Sequence, residues 1–392
     1  MYGLEIKFVP DTYKESIKHV LNYCFQEAVD LGESFVNETY NPENCLGCFD
    51  KDKLAGLLYI NPYDMYYHGS IVSMGGIGVV STLPEYRYYN CASNMLIKSI
   101  EIMKGRGYAF SALAPFSYAF YRKYGWELGF SNKRYVIPID ELKGLGTGKG
   151  QFRPLTIEDK DSISKVYKSY IAKYNGAIDR NECNWQSRLK TIGKNRHYAY
   201  GYTRQGNGLD GYIFFSINER VFHVHEMMYN SLEAKLELLR FIYNHNAQVR
   251  EVNWRAPIDD NTVLLLDNPR IEQKIESGMM IRVVDVVSVL KSYKYPCSYK
   301  GTFIINIADK WAPWNSGTFR VKIDQGTLAV DKIEDAEADI SCDINTFSQF
   351  ILGYIGLGEA IELGKVAVHN PQKAETMKDI FKEHVTHMTD YF

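Results

Sequence analysis

The chain lacks three things: a long basic run, an apolar stretch of membrane-spanning length, and a regular cysteine framework. Its 392 residues carry 45 Lys and Arg against 47 Asp and Glu, a formal net charge of −2. With no basic run to track a phosphate backbone, nucleic-acid binding is not expected. A membrane helix needs roughly 20 consecutive apolar residues, and no membrane partner is expected. The opening Met1-Tyr2-Gly3-Leu4-Glu5-Ile6-Lys7 does not have the layout of a signal peptide, so a cytoplasmic location is the expectation. The seven cysteines are odd in number and scattered, which suits reduced thiols. Cys45-Leu46-Gly47-Cys48 alone has suggestive spacing. No second pair or ligand-spaced histidines accompany it, so no metal is expected and the two thiols read as strand residues.

Aromatics are plentiful, with 30 Tyr and 19 Phe, and the chain is too long for one ordinary core. Leu4, Ile6 and Phe8 alternate as in a half-buried strand, and Asp11 opens a helix with Ile17, Val20, Leu21 and Phe25 on one face. A hairpin follows (residues 46–49 and 54–60 about the turn Asp50-Lys51-Asp52-Lys53), then a strand over 71–80, a helix over 91–104 and an apolar run over 108–114. A short helix over 118–124 is closed by Gly125, and 126–130 and 135–139 alternate again. The glycine-rich segment Lys143 to Gly150 reads as a flexible linker.

Beyond it the plan recurs in outline. A strand at 152–155 leads into a helix from Asp159, a hairpin joins 198–202 to 210–217 across Gly206-Asn207-Gly208, and a strand follows over 221–228. From about Lys291 the character changes: Phe303, Ile305 and Ile307 alternate, as do Phe319, Val321 and Ile323, and amphipathic helices follow at 345–354 and 373–382. The predicted fold class is α/β (α+β), with two mixed-sheet domains followed by a small α+β domain. The boundaries fall at residues 1–145, 146–290 and 291–392.

The most informative stretch is Leu83-Pro84-Glu85-Tyr86-Arg87-Tyr88-Tyr89-Asn90-Cys91-Ala92. A strand runs through a short turn and an arginine straight into a helix. A helix N-terminus presents unpaired N–H groups and the positive end of its dipole, so it can hold a diphosphate. In the second copy, Tyr229-Asn230-Ser231-Leu232-Glu233-Ala234 lacks the arginine-then-small-residue signature, which implies no working phosphate cradle there.

Together with Phe120-Tyr121-Arg122-Lys123-Tyr124-Gly125-Trp126, Met280-Ile281-Arg282-Val283-Val284-Asp285-Val286, the Trp314-Asn315-Ser316-Gly317 turn and the terminal Phe392, these motifs resemble the GNAT acetyltransferase superfamily. Within it they are similar to the Eis-like (enhanced intracellular survival) proteins over essentially the whole chain. The resemblance implies an active GNAT domain, a degenerate central GNAT domain and a sterol carrier protein-like domain. It also implies acetyl-CoA as cosubstrate and homo-oligomers, often hexamers. One departure stands out: the family pattern is arginine, two residues, glycine, one residue, then glycine or alanine, and here Asn90 takes the glycine place. Asparagine is the residue next most tolerant of positive φ.

The resemblance assigns Val79, Val80, Ser81 and Thr82 to the pantetheine arm and Arg87, Tyr88, Tyr89, Asn90, Cys91, Ala92 and Ser93 to the diphosphate, with Phe116 and Ser117 lining the far arm. It implies Tyr121 as general acid, since a phenol near pKa 10 can protonate a departing thiolate. It implies the carboxylate of Phe392 as general base, although a free α-carboxyl near roughly 3.3–3.7 needs burial or a bridging water for that task. His384 and His387, one helical turn apart if helical, are the competing source of a base or otherwise a solvated face. The expected activity is acetyl-CoA-dependent N-acetylation of an amine, plausibly multi-site on aminoglycosides. Protein lysine is the alternative acceptor, and a lipid-binding scaffold is the non-catalytic alternative.

Overall fold

The computed structural model describes residues 3–26, 30–190, 192, 197–204, 208–324, 327–334 and 336–392. Two sequence expectations, the hairpin turn at Gly206-Asn207 and the first two residues of the chain, lie outside these.

The first segment runs β1 (Leu4–Phe8), α1 (Lys14–Cys24), α2 (Leu31–Glu38), β2 (Cys45–Asp50), β3 (Lys53–Tyr67), β4 (Ser70–Thr82), α3 (Cys91–Gly105), β5 (Phe110–Leu113), α4 (Tyr118–Arg122) and β6 (Glu127–Leu128). The helical face expected of α1 is the one that packs: Ile17, Val20 and Leu21 are buried. Cys91, Met95, Leu96, Ile100 and Met103 of α3 recur at helical spacing and are buried in the same core as Leu57, Leu58 and Ile60 of β3. Cys45 and Cys48 are buried, free thiols on β2.

The second segment comprises β7 (Ser131–Pro138), β8 (Gln151–Pro154), α5 (Lys160–Ile171), α6 (Glu182–Leu189), β9 (His197–Thr203), β10 (Leu209–Asn218), β11 (Val221–Tyr229), α7 (Leu232–Tyr243), β12 (Glu251–Pro257) and β13 (Glu272–Ser277). The expected flexible linker is instead an ordered connection. Gly144, Gly146, Gly148 and Gly150 all sit at positive φ, and Glu237 accepts from the amides of Thr147 at 2.7 Å and Gly148 at 3.0 Å.

The third segment contains β14 (Met280–Val283), α8 (Val286–Ser292), β15 (Gly301–Ala308), β16 (Gly317–Asp324), β17 (Thr327–Ile333), β18 (Ile340–Asp343), α9 (Ile344–Leu352), α10 (Leu357–Glu362), β19 (Ala367–Val368) and α11 (Pro371–Ile380). On β16 the expected alternation holds, with Phe319, Val321 and Ile323 buried and Arg320 and Lys322 exposed.

Among the described residues the strands form three sheets, ordered β1-β2-β3-β4-β5-β14-β6, β13-β7-β12-β11-β10-β9-β8 and β17-β16-β15-β18-β19. All three mix parallel and antiparallel pairs, as the expected α/β class requires. The pairing does not follow the chain in simple blocks. Ser131–Pro138 lies in the second sheet, while Met280–Val283 completes the first, between β5 and β6. By internal contacts the chain divides accordingly: Met1–Gly129 groups with Met279–His384 and Asp390–Phe392, and Phe130–Gly278 groups with Val385–Thr389. This partition differs from a cut at the glycine-rich connection.

Candidate active site

β4 and β5 pair in parallel only over Met74–Ile77 and Phe110–Leu113, while β4 continues to Thr82. Past that point β4 bulges against β3: Gly78 faces Tyr59 and Ser81 faces Leu57, so Val79 and Val80 lie opposite Leu58 alone. Val79 sits at φ 46°. A β-branched residue there is a conformation costing about 1–3 kcal/mol, which persists only where the surroundings impose it. The bulge re-aims the strand's polar groups beside the gap that opens between β4 and β5.

Pro84–Tyr86 forms a single 3-10 turn, and Asn90 caps α3 in the left-handed region, at φ 59° and ψ 20°. The residue standing in the family's glycine place therefore adopts the conformation that glycine would supply. Asn90 makes no side-chain cap bond. The first intrahelical bond runs from the Asn94 amide to the Asn90 carbonyl at 2.9 Å, leaving the amides of Asn90, Cys91, Ala92 and Ser93 outside the helical ladder. Tyr88 also has positive φ, at 72°, and is fully exposed, while Tyr89 is about half exposed. The Cys91 side chain turns into the core, where Cys48 and burial push its thiol up. The Cys24 thiol donates to the Thr82 carbonyl at 3.6 Å; burial raises its pKa, and the Thr82 backbone and Arg87 oppose the rise.

Ser117 caps α4, its hydroxyl accepting from the Phe120 amide at 3.4 Å. Tyr121 is 2% exposed, its ring edge-on to Phe116 at 5.3 Å and Phe120 at 5.2 Å. Burial pushes the Tyr121 phenol well above its ordinary value, so the group stays protonated throughout the neutral range. Phe116 itself is largely exposed. The exit of α4 is held from the third sheet's domain: Asn345 Nδ2 donates to the carbonyls of Arg122 at 3.1 Å and Trp126 at 3.0 Å, and Trp311 Nε1 donates to that of Lys123 at 2.6 Å.

The last three residues belong to the same unit as these groups. The Phe392 ring lies over Gly76 of β4, so close that a Cβ added at Gly76 would fall 2.5 Å from a ring carbon. It also packs on Tyr63 of β3 with centroids 4.9 Å apart. The main-chain carboxyl carbon of Phe392 lies 3.1 Å from where a Cβ on Gly78 would stand. Gly76 and Gly78 share one face of the strand, and that bare face is what admits the residue.

The paired histidines do not share a helix face as expected. The helix α11 ends at Ile380 and the chain beyond is not helical, because its amides bond elsewhere. That of His384 donates to the Gly353 carbonyl at 2.9 Å, and that of His387 to the Asn175 carbonyl at 3.0 Å. His384 packs on His68 at 4.6 Å and is itself exposed, whereas His387 is buried against Tyr174, so the two do not form one face. Sequence reasoning missed Tyr63, Gly76 and Gly78. The Met74-Gly75-Gly76-Ile77-Gly78 run in an otherwise apolar strand was the available signal.

The equivalent helix end in the second sheet is differently furnished. Ser231 caps α7 and accepts from the Ala234 amide at 3.1 Å. Asp210 accepts from the Ser231 hydroxyl and from Arg204, both at 2.9 Å. On β11, Glu226 is fully buried and held by Arg180 at 2.7 Å, Arg188 at 2.8 Å and the Tyr212 hydroxyl at 2.6 Å.

Among the described residues no group of three His, Cys, Asp or Glu side chains could hold a metal ion, and no helix is long and apolar enough to cross a membrane. Residues 5–129 match the acetyltransferase (GNAT) domain family, residues 176–283 match a second GNAT domain family, and residues 286–389 match the sterol carrier protein domain family. No curated protein matches the sequence. Similar solved structures include a probable N-acyltransferase from Enterococcus faecalis (24% identity, TM-score 0.91) and a GCN5-related N-acetyltransferase from Anabaena variabilis (22%, 0.90). Another is Eis1 from Mycobacterium abscessus (19%, 0.81). In each case 99% of this chain and 100% of the other are covered, which establishes a shared fold along the whole length.

Proposed function

We propose that this chain, an Eis-like GNAT N-acetyltransferase with two acetyltransferase domains and a sterol carrier protein-like domain, uses acetyl-CoA and performs its chemistry in the first domain. The observation that carries the reading is the uncapped start of α3, with Asn90 in the left-handed region and the amides from Asn90 to Ser93 free of the helical ladder. These amides suit a diphosphate, and Arg87 adds the nearby cation. Val79, Val80, Ser81 and Thr82 offer strand backbone to the pantetheine arm, with Phe116 and Ser117 farther along. When bound, acetyl-CoA supplies an activated acetyl group on a thioester.

Tyr121 holds a proton on its phenol oxygen and is the group we assign as general acid. The carboxyl of Phe392, seated over Gly78, is the assigned base that takes the proton of the attacking amine, directly or through water. The acceptor is an amine, and aminoglycosides acetylated at several positions are the first class to try, with lysine side chains of proteins as the competing arm. We further propose that the central domain holds no cofactor, since Ser231 and Asp210 occupy its helix end, and that the chain works as a homo-oligomer.

Calorimetry with acetyl-CoA, followed by release of free thiol with a panel of aminoglycosides and lysine peptides, tests the reading. Binding in the micromolar range with turnover on one arm supports it; absence of binding overturns it. Tyr121→Phe should lower turnover about 100-fold with acetyl-CoA affinity nearly intact, and equal turnover would remove Tyr121 from the mechanism.

A further inference from the structure

We propose that Asn345 and Trp311, both supplied by the sterol carrier protein-like domain, are positioning residues for Tyr121, so that the first domain's site is incomplete without the third. This rests on the assignment of Tyr121 as the acid.

The helix that carries Tyr121 is five residues long. A helix so short has little stability of its own, and its last carbonyls have no intrahelical partners. Here the carbonyls of Phe120, Tyr121 and Arg122 accept from the amides of Lys123, Tyr124 and Gly125 in the turn that follows, and the third domain holds that turn with two further donors. One side-chain amide, Asn345 Nδ2, bridges the carbonyls of Arg122 and Trp126, closing the loop where the chain leaves α4 through Gly125 at φ 92°. Trp311 Nε1 takes the Lys123 carbonyl between them.

Both donors stand on fixed supports. Asn345 lies in the first turn of α9, which Asp343 caps at 2.7 Å to the Thr346 amide. The Trp311 loop is tied to Asp309, whose carboxylate accepts from the Trp311 amide at 3.1 Å and from the fully buried Arg282 at 2.7 Å. The chain of contacts continues to the proposed diphosphate site. The Trp311 ring packs on Tyr124 at 5.6 Å, and the Tyr124 hydroxyl meets Ser93 Oγ in the first turn of α3. The third domain therefore reaches the exit of the acid's helix through Asn345 and Trp311, and the cradle's helix through Trp311 and Tyr124. A group displaced by as little as 1 Å from its reacting partner can lose about 100-fold in rate, and this is the displacement the clamp prevents.

Asn345→Ala and Trp311→Phe test the proposal, the second keeping a phenyl ring against Tyr124 while removing the N–H together with the pyrrole ring. Each should lower kcat about 10- to 100-fold, leave KM for acetyl-CoA within about twofold, and shift the alkaline limb of the pH–kcat profile. In a Tyr121→Phe background the same substitutions should have no further effect, because the group they position is gone. Full additivity in the double variants, or a loss confined to KM, overturns the proposal while leaving Tyr121 as the acid. Wild-type turnover in Tyr121→Phe alone removes the acid and this proposal with it. If Asn345→Ala fails to fold, Trp311→Phe reads the same cycle.

Discussion

The two GNAT domains use the same strand-and-helix scaffold for opposite local arrangements. In the first, the strand face at Gly76 and Gly78 is bare and α3 begins on an uncapped left-handed residue, so backbone is offered outward. In the second, the corresponding strand carries the buried Glu226 with its two arginines, and α7 begins under a serine hydroxyl and the Asp210 carboxylate. The Ser231 hydroxyl takes the Ala234 amide, and a carboxylate beside a helix N-terminus offsets the dipole that would otherwise attract phosphate. One copy keeps its polar groups available, and the other satisfies them internally.

The largest effect should come from breaking the second copy's internal network. Glu226→Gln removes the buried charge that Arg180 and Arg188 both face and should cost about 3–5 kcal/mol, read as a lowered urea midpoint. Burial alone would raise the Glu226 carboxyl, but Arg180, Arg188 and their hydrogen bonds hold it down to about 2. A carboxyl depressed in the folded state stabilises above its unfolded value near roughly 4.3 and loses that contribution as pH falls toward 2. The wild type should therefore weaken over that window, and the glutamine variant should lack this step.

Filling the first copy's bare face comes next. Gly76→Ala would place a methyl where the Phe392 ring lies, and turnover should fall about 100-fold if the displaced carboxyl is the base, with the melting temperature nearly unchanged. Wild-type turnover would detach Phe392 from catalysis. Making the first helix end resemble the second is a smaller intervention. Asn90→Asp is nearly isosteric and puts a carboxylate at the cradle, so acetyl-CoA affinity should drop about tenfold or more, the equivalent of about 1.4 kcal/mol, by calorimetry. The smallest effect is expected from Asn90→Gly, which restores the family residue. Because asparagine already holds the left-handed conformation, stability should change by less than about 1 kcal/mol and affinity by less than about twofold.

Much of this contrast was readable in the residues. Arg87, Asn90 and the small residues after it marked the first helix end, and the missing arginine-then-small-residue signature set the second apart. The alternation of Phe303, Ile305 and Ile307 gave the third sheet its inner face. What could not be read depends on contacts remote in sequence. His384 and His387 had helical spacing, yet their amides bond to the carbonyls of Gly353 and Asn175 instead. The glycine-rich connection looked loose until Glu237 supplied its acceptor. Asn345 and Trp311 carry no motif, because a donor to a distant carbonyl leaves no local pattern.

The crossed placement of β7 and β14 has a consequence for how the molecule is made. As the chain leaves the ribosome, the strand that completes the first sheet is among the last of that sheet's partners to appear, after all of the second sheet's strands. Pairing across so long a separation is slow, and it leaves β5 with an open edge in the meantime. The first acetyltransferase domain should thus be the later of the two to mature, and a fragment ending at the glycine-rich connection should leave that edge unpaired and prone to aggregate.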